Sequence, residues 1–138
     1  MIDFAVNSAT VREKWSEFID NTIRIRPGFI KRNRDILGTF SLDQLAVLVE
    51  HVRFKMEYEQ EEDGSYSGSI IGFDLVGNAP TVEELRQELA EQLMEYAQMY
   101  MEYFQLNYNA PNRRPHFPFV LKVLLEPDLK GVVSLIRV

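Results

Sequence analysis

The chain has 138 residues, 46% of them hydrophobic, and a formal net charge of −6 from 15 Lys and Arg against 21 Asp and Glu. That length and apolar content suit one globular domain or two very small ones, and the negative charge argues against non-specific coating of nucleic acid or an anionic membrane. The lack of cysteine removes disulfides, thiol catalysis and cysteine-bound metals, no apolar run approaches the roughly 20 residues of a membrane span, and the N-terminus has no signal-peptide character.

In chain order, Asp3 to Val6 is a short apolar strand, and "NSAT" after it supplies capping residues. Thr10 and Glu13 fit a T-x-x-E capping box, and Asn7 or Ser8 can cap one turn earlier. Val11, Trp15, Phe18, Ile19, Thr22 and Ile23 then recur at helical spacing, which predicts one buried stripe. Pro27-Gly28 turns the chain. "GFIKR" and "ILGTF" read as two strands joined by the turn Asn33-Arg34-Asp35. Ser41 and Gln44 form a second capping box, opening a helix that carries Leu42, Leu45, Val47, Leu48 and Val49. Strand, helix, hairpin, helix is little core for fifty residues, so pairing with another copy is expected, as a homodimer or a higher even oligomer.

Charge is unevenly placed. Residues 1–50 hold seven basic and seven acidic side chains, whereas 51–138 hold eight and fourteen. Arg24, Arg26, Lys31, Arg32 and Arg34 fall in a run without an acid until Asp35. Arg12, about 100° from Val11 at the edge of the stripe, and Lys14 precede them on the helix. Arg12, Lys14, Lys31, Arg32 and Arg34 are therefore candidate DNA contacts, since guanidinium groups fork onto phosphate or guanine. A solvated hairpin whose charges only discourage edge pairing explains the same run. The residues alone leave both open.

"SATVREKWSEFID … GFIKRNRDILGTFSLDQLAVL" resembles the Phd/YefM family of antitoxins over residues 1–50. The resemblance implies a symmetric dimer that binds palindromic operator DNA and represses its own operon. The family's usual contacts are a basic residue in the first helix and one ending the hairpin's first strand, which match Arg12 and Arg32. Where the family often has Gly in the hairpin turn, this chain has "NRD".

In the acidic half, Val52, Phe54, Met56 and Tyr58 alternate with charged residues, the period of a half-buried strand. "EEDG", Glu61 to Gly64, is a turn, and "SYSGSIIGF" is the return strand. Thr81 and Glu84 make a third capping box before a long acidic helix with Val82, Leu85, Leu89, Leu93, Tyr96, Tyr100 and Tyr103 on one face. This segment, through "EEDGSY … TVEEL", resembles the HicB-like antitoxin domain over residues 52–103. That resemblance implies a surface that binds a cognate protein toxin. "NAPNRRPHFP" is a connection, and "FVLKVLLEPDLKGVVSLI" reads as two short helices, or a helix and strand, that complete the acidic domain's core or dock on a partner.

His51 and His116 are the only histidines and lack metal-ligand spacing. The glutamates of "EQEED" do not follow a calcium loop, and no compact acidic quartet for two metals is discernible. No enzyme activity, cofactor or metal is expected. The expected fold is α+β: a Phd/YefM-like β-α-β-β-α dimerisation and DNA-binding domain over 1–51, then a HicB-like β-hairpin plus long helix over 52–138, with a C-terminal extension. The expected function is that of a cytoplasmic antitoxin that binds its toxin and represses its operon. The alternative is a homodimeric protein-interaction adaptor that does not touch DNA.

Overall fold

A computed structural model describes residues 1–138, which form two units, Met1–Leu48 and Val49–Val138. The division falls three residues before the boundary expected from sequence, and Val49 and Val52 just beyond it are buried. The class is mixed α+β, with seven α-helices and two sheets. No helix is long and apolar enough to cross a membrane.

The first unit is built on a three-stranded sheet in the order β1-β2-β3. Strand β1 (Val6–Asn7) runs parallel to β2 (Gly28–Arg32), which pairs antiparallel with β3 (Asp35–Thr39). Asn7 is held opposite Lys31 in the β1–β2 pair, so the helix starts directly after it and the Thr10–Glu13 capping box is not the start. The expected single helix is two: α1 (Ser8–Glu13) and α2 (Trp15–Arg24), parted at Lys14 with φ −116° and ψ 42°. Backbone bonds from Lys14 N–H to Thr10 O and from Phe18 N–H to Lys14 O span the break. The helical spacing therefore slips there. Val11 and Thr22 stay buried, but Trp15 is 58% exposed.

Helix α2 lies close on β2 because Gly28 has no side chain. A Cβ there would sit 2.5 Å from Phe18 Cζ and 2.8 Å from Thr22 Oγ1. Thr39 Oγ1 donates to the Gly28 carbonyl at 3.1 Å and lies 3.3 Å from Thr22 Oγ1, so strand and helix are tied at this point. The hairpin turn is shorter than expected, Asn33-Arg34, since Asp35 pairs with Arg32. Asn33 takes the left-handed conformation at φ 55°, which a short polar side chain tolerates where the resemblance calls for Gly. The Ser41–Gln44 box forms reciprocally: Ser41 N–H donates to Gln44 Oε1 at 3.0 Å and Gln44 N–H to Ser41 Oγ at 3.2 Å. Gln44 Nε2 also donates to the Thr22 carbonyl at 2.8 Å, anchoring α3 (Leu42–Leu48) to α2.

The second unit holds a four-stranded sheet in the order β6-β5-β4-β7. Strands β4 (Phe54–Gln60) and β5 (Tyr66–Ile70) form the expected hairpin. Strand β6 (Val76–Ala79) pairs antiparallel with β5 at one edge, and β7 (Ile136–Arg137) closes the other edge parallel to β4. In the 61–64 turn, Asp63 accepts from Ser65 N–H at 2.9 Å and Ser65 Oγ–H at 2.6 Å, and these bonds hold its carboxyl below the usual range.

Helix α4 (Val82–Glu102) opens on the Thr81–Glu84 box, with Glu84 N–H donating to Thr81 Oγ1 at 3.1 Å. Leu85, Leu89 and Leu93 pack toward Phe54, Met56 and Ile70. Gly68 makes the close approach possible, since a Cβ there would lie 2.6 Å from the Glu57 carbonyl and 2.9 Å from Leu85 Cδ2. The tail completes the core of this unit, one of the two outcomes expected of it. After α5 (Phe104–Asn109), helices α6 (Phe117–Leu124) and α7 (Leu129–Ser134) pack on α4 and bury Val120, Val123 and Val132 in the same core. Buried Asn107 closes the C-terminal end of α4: its Nδ2 donates to the Tyr100 carbonyl at 3.2 Å, and its Oδ1 accepts from Arg113 Nη1 at 2.9 Å. A helix's last carbonyls have no partner of their own, so this side chain supplies one.

Candidate nucleic-acid interface

Strand β2 sorts the basic residues by its alternation. Gly28 faces α2, so Ile30 and Arg32 share that face, and Phe29 and Lys31 take the other. Ile30 joins Ser8, Val11, Arg12 and Trp15 around a shallow, mostly apolar hollow of about 400 Å³. Arg12 therefore stands on the rim of the face that also carries Arg32, two residues further along the strand. Arg34 occupies the adjoining turn. Lys31 lies on the opposite face beside Ile36, and Lys14 sits at the break between α1 and α2. All five are exposed. The chain's one ion pair is Arg86 with Glu83, so none of the five is neutralised, although Asp35 sits opposite Arg32 in register. Of the other two bases in the run, Arg26 is engaged structurally, with its guanidinium 4.3 Å over the Phe4 ring.

As expected of a unit with so little core, much apolar surface is left open. Ile36, Leu37, Phe40, Leu42, Val47 and Leu48 are all exposed, as is Trp15. Within the unit only Val11 and Thr22 are fully buried.

Sequence reasoning missed a polar network in the second unit. Tyr96 Oη lies 2.7 Å from His116 Nδ1, and His116 Nε2 lies 3.0 Å from the Gly72 carbonyl. The carbonyl can only accept, so Nε2 carries the proton and Nδ1 accepts from the tyrosine hydroxyl. The imidazole stacks on Phe73, with ring centroids 4.2 Å apart. Burial lowers the His116 pKa from 6.5 and raises that of Tyr96, with Arg113 and Asp74 as the charged groups nearby. The fold thus favours the neutral form of His116. An unfolded chain binds this proton more readily, so stability present above pH 6.5 is lost as pH falls through the folded pKa. Thermal melts from about pH 7.5 to about pH 5.5 are expected to show a smaller acid loss in His116→Gln than in the unmodified chain. An equal loss would place the acid sensitivity elsewhere. Twenty residues separate Tyr96 from His116, and nothing in that interval announces the contact. No group of three or more His, Asp or Glu side chains is gathered where it could hold a metal ion.

A family model described as "Antitoxin of toxin-antitoxin, RelE / RelB, TA system" (PHD-like) matches residues 1–138. The chain belongs to this antitoxin family. The antitoxin is also similar to a crystal structure from Syntrophomonas wolfei subsp. wolfei, described as an antitoxin part of a proposed toxin/antitoxin system. The two are 42% identical over 96% of each chain, with a TM-score of 0.91, so the likeness runs through both units. No curated protein matches the antitoxin. An antitoxin implies a cognate toxin as its partner.

Proposed function

We propose that this antitoxin dimerises through residues 1–48, reads palindromic operator DNA with Arg12 and Arg32, and represses its own operon. In this proposal residues 49–138 form a HicB-like domain that engages the toxin. One observation carries the DNA reading. Arg12 and Arg32, twenty residues apart in sequence, share one face of the first sheet without an acidic partner. Arg34 at the adjoining turn and Lys14 at the helix break would meet phosphate, and Lys31 would contribute only its charge from the far face.

The apolar surface of the first unit supports pairing. Trp15, Leu42, Val47 and Leu48 are more than half exposed, far more than so small a unit sustains in water. A twofold interface of about 2,000 Å² or more would cover part of it. Two such copies present their arginine pairs to half-sites about one helical turn apart, roughly 34 Å.

The test combines assembly and binding. Light scattering at micromolar concentration is expected to report a dimer or a higher even assembly. Gel shifts with the gene's own upstream DNA are expected to weaken steeply with salt, by about 0.9 in log–log slope per phosphate contact. A dimer that fails to shift that DNA would overturn the reading in favour of the adaptor, and a monomer would overturn both.

A further inference from the structure

The sheet of the second unit is covered on one face only. Phe54, Met56 and Ile70 point to α4, so Lys55, Glu57 and Glu59 point away from it. Register places Ser69 beside Glu57 and Ser67 beside Glu59, then Val76 beside Ser69 and Asn78 beside Ser67. These side chains line an open trough of about 680 Å³. Glu57, Glu59 and Asn78 are exposed, and Val76 is exposed to 70%.

The trough has a hydrogen-bonding polarity. Asn78 Nδ2 donates to Ser65 Oγ at 3.0 Å and to Ser67 Oγ at 2.8 Å, which leaves its carbonyl oxygen as an acceptor. Neither Glu57 nor Glu59 is in an ion pair. Lys55 and Arg137, in register at the far end of the same face, bound the acidic stretch with opposite charge. The middle strand carries only serine and glycine between Tyr66 and Ile70, so a partner can approach its backbone. From β4 to β6 is two strand spacings, about 10 Å, and an α-helix is about 10–12 Å across. The chain's other acidic block, with Glu83, Glu84, Glu91 and Glu95, lies exposed on α4.

We propose that this trough, and not the acidic surface of α4, seats a basic α-helix of the cognate toxin. Its Lys and Arg side chains meet Glu57, Glu59 and Asn78 Oδ1, and an apolar residue beside them covers Val76. The inference rests on the toxin-binding reading of residues 49–138. Two unpaired carboxylates and an amide oxygen on one face suit cations, and a negative trough also speeds encounter with a positive partner.

The experiment titrates the full-length antitoxin with the product of the reading frame adjoining its gene. Glu57→Lys with Glu59→Lys is expected to weaken binding by about 100-fold or more. Glu91→Lys with Glu95→Lys, an equal charge change on α4, is expected to stay within a few-fold of the unmodified chain. Glu57→Gln with Glu59→Gln keeps the side-chain shape, so its smaller loss in the same direction guards against a folding artefact. Equal losses in the sheet and helix variants, or no loss in the sheet variants, would overturn the trough while leaving the toxin reading intact. Failure of the unmodified chain to bind that product would overturn the toxin reading, and the trough with it.

Discussion

Replacing Arg12 and Arg32 together by Ala is expected to abolish the gel-shift complex with upstream DNA and leave the melting temperature unchanged. Both side chains are exposed and neither forms an ion pair, so their removal disturbs no packing in the first unit. In the proposed complex each protomer loses two guanidinium contacts, and the dimer therefore loses twice that number. At about 1–3 kcal/mol for each such contact, the loss is at least about 4 kcal/mol, or roughly a thousandfold in affinity. That is enough to bring specific binding close to the non-specific level. Lys31→Ala supplies the internal control. Lys31 faces away from Arg12 and Arg32, so its removal is expected to cost far less. Unchanged affinity in the double variant would exclude the operator reading, and equal losses in Lys31→Ala would mean that only bulk charge matters.

The largest stability effect is expected from Leu89→Ala. Leu89 lies at the middle of the α4 stripe with no exposed surface, between Leu85 and Leu93 on the same helix face. Helix α4 packs on β5 and β6 and also on α6 and α7, so a cavity at its centre has packed atoms on every side and little room to collapse. Such truncations cost about 2–5 kcal/mol, against a total stability of about 5–15 kcal/mol for an ordinary domain. Trp15 belongs to the first unit, so denaturant unfolding is best followed by far-ultraviolet circular dichroism, which the helices of the second unit dominate. Leu106→Ala, at a position 73% exposed, is expected to move the midpoint by no more than about 0.5 kcal/mol equivalent. A Leu89→Ala loss as small as that would mean that the core of the second unit is not built around α4.

The sequence by itself determined whatever depends on residues a few positions apart. Ser41 with Gln44, and Thr81 with Glu84, are local pairs, and both helices begin where those pairs place them. The alternation of Phe54 and Met56 with charged neighbours, followed by a Gly-containing turn, was enough for the β4–β5 hairpin. The long face of α4 followed from its 3.6-residue spacing, although Tyr103 at its end is exposed. The basic run around the first hairpin was equally plain.

Only the tertiary structure decided the rest, because the deciding partners are distant in the chain. Strand β6 has no apolar alternation. Val76 to Ala79 is extended because β5 offers it a ladder, and Gln92 Nε2 from α4 donates to the Val76 carbonyl at 2.7 Å. The break at Lys14 turns Trp15 outward, which a continuous helical wheel does not anticipate. Arg32 falls on the face of Arg12, and Lys31 on the other, only once Gly28 has seated α2 against one side of β2. Of the two outcomes open for the apolar tail, completing the core or docking on a partner, the first holds because β7 found the free edge of β4 and the tail's helices found α4. Spacing along the chain carries the helix and strand periods, but the register between strands and the choice of covered face depend on contacts that form only when the whole unit closes.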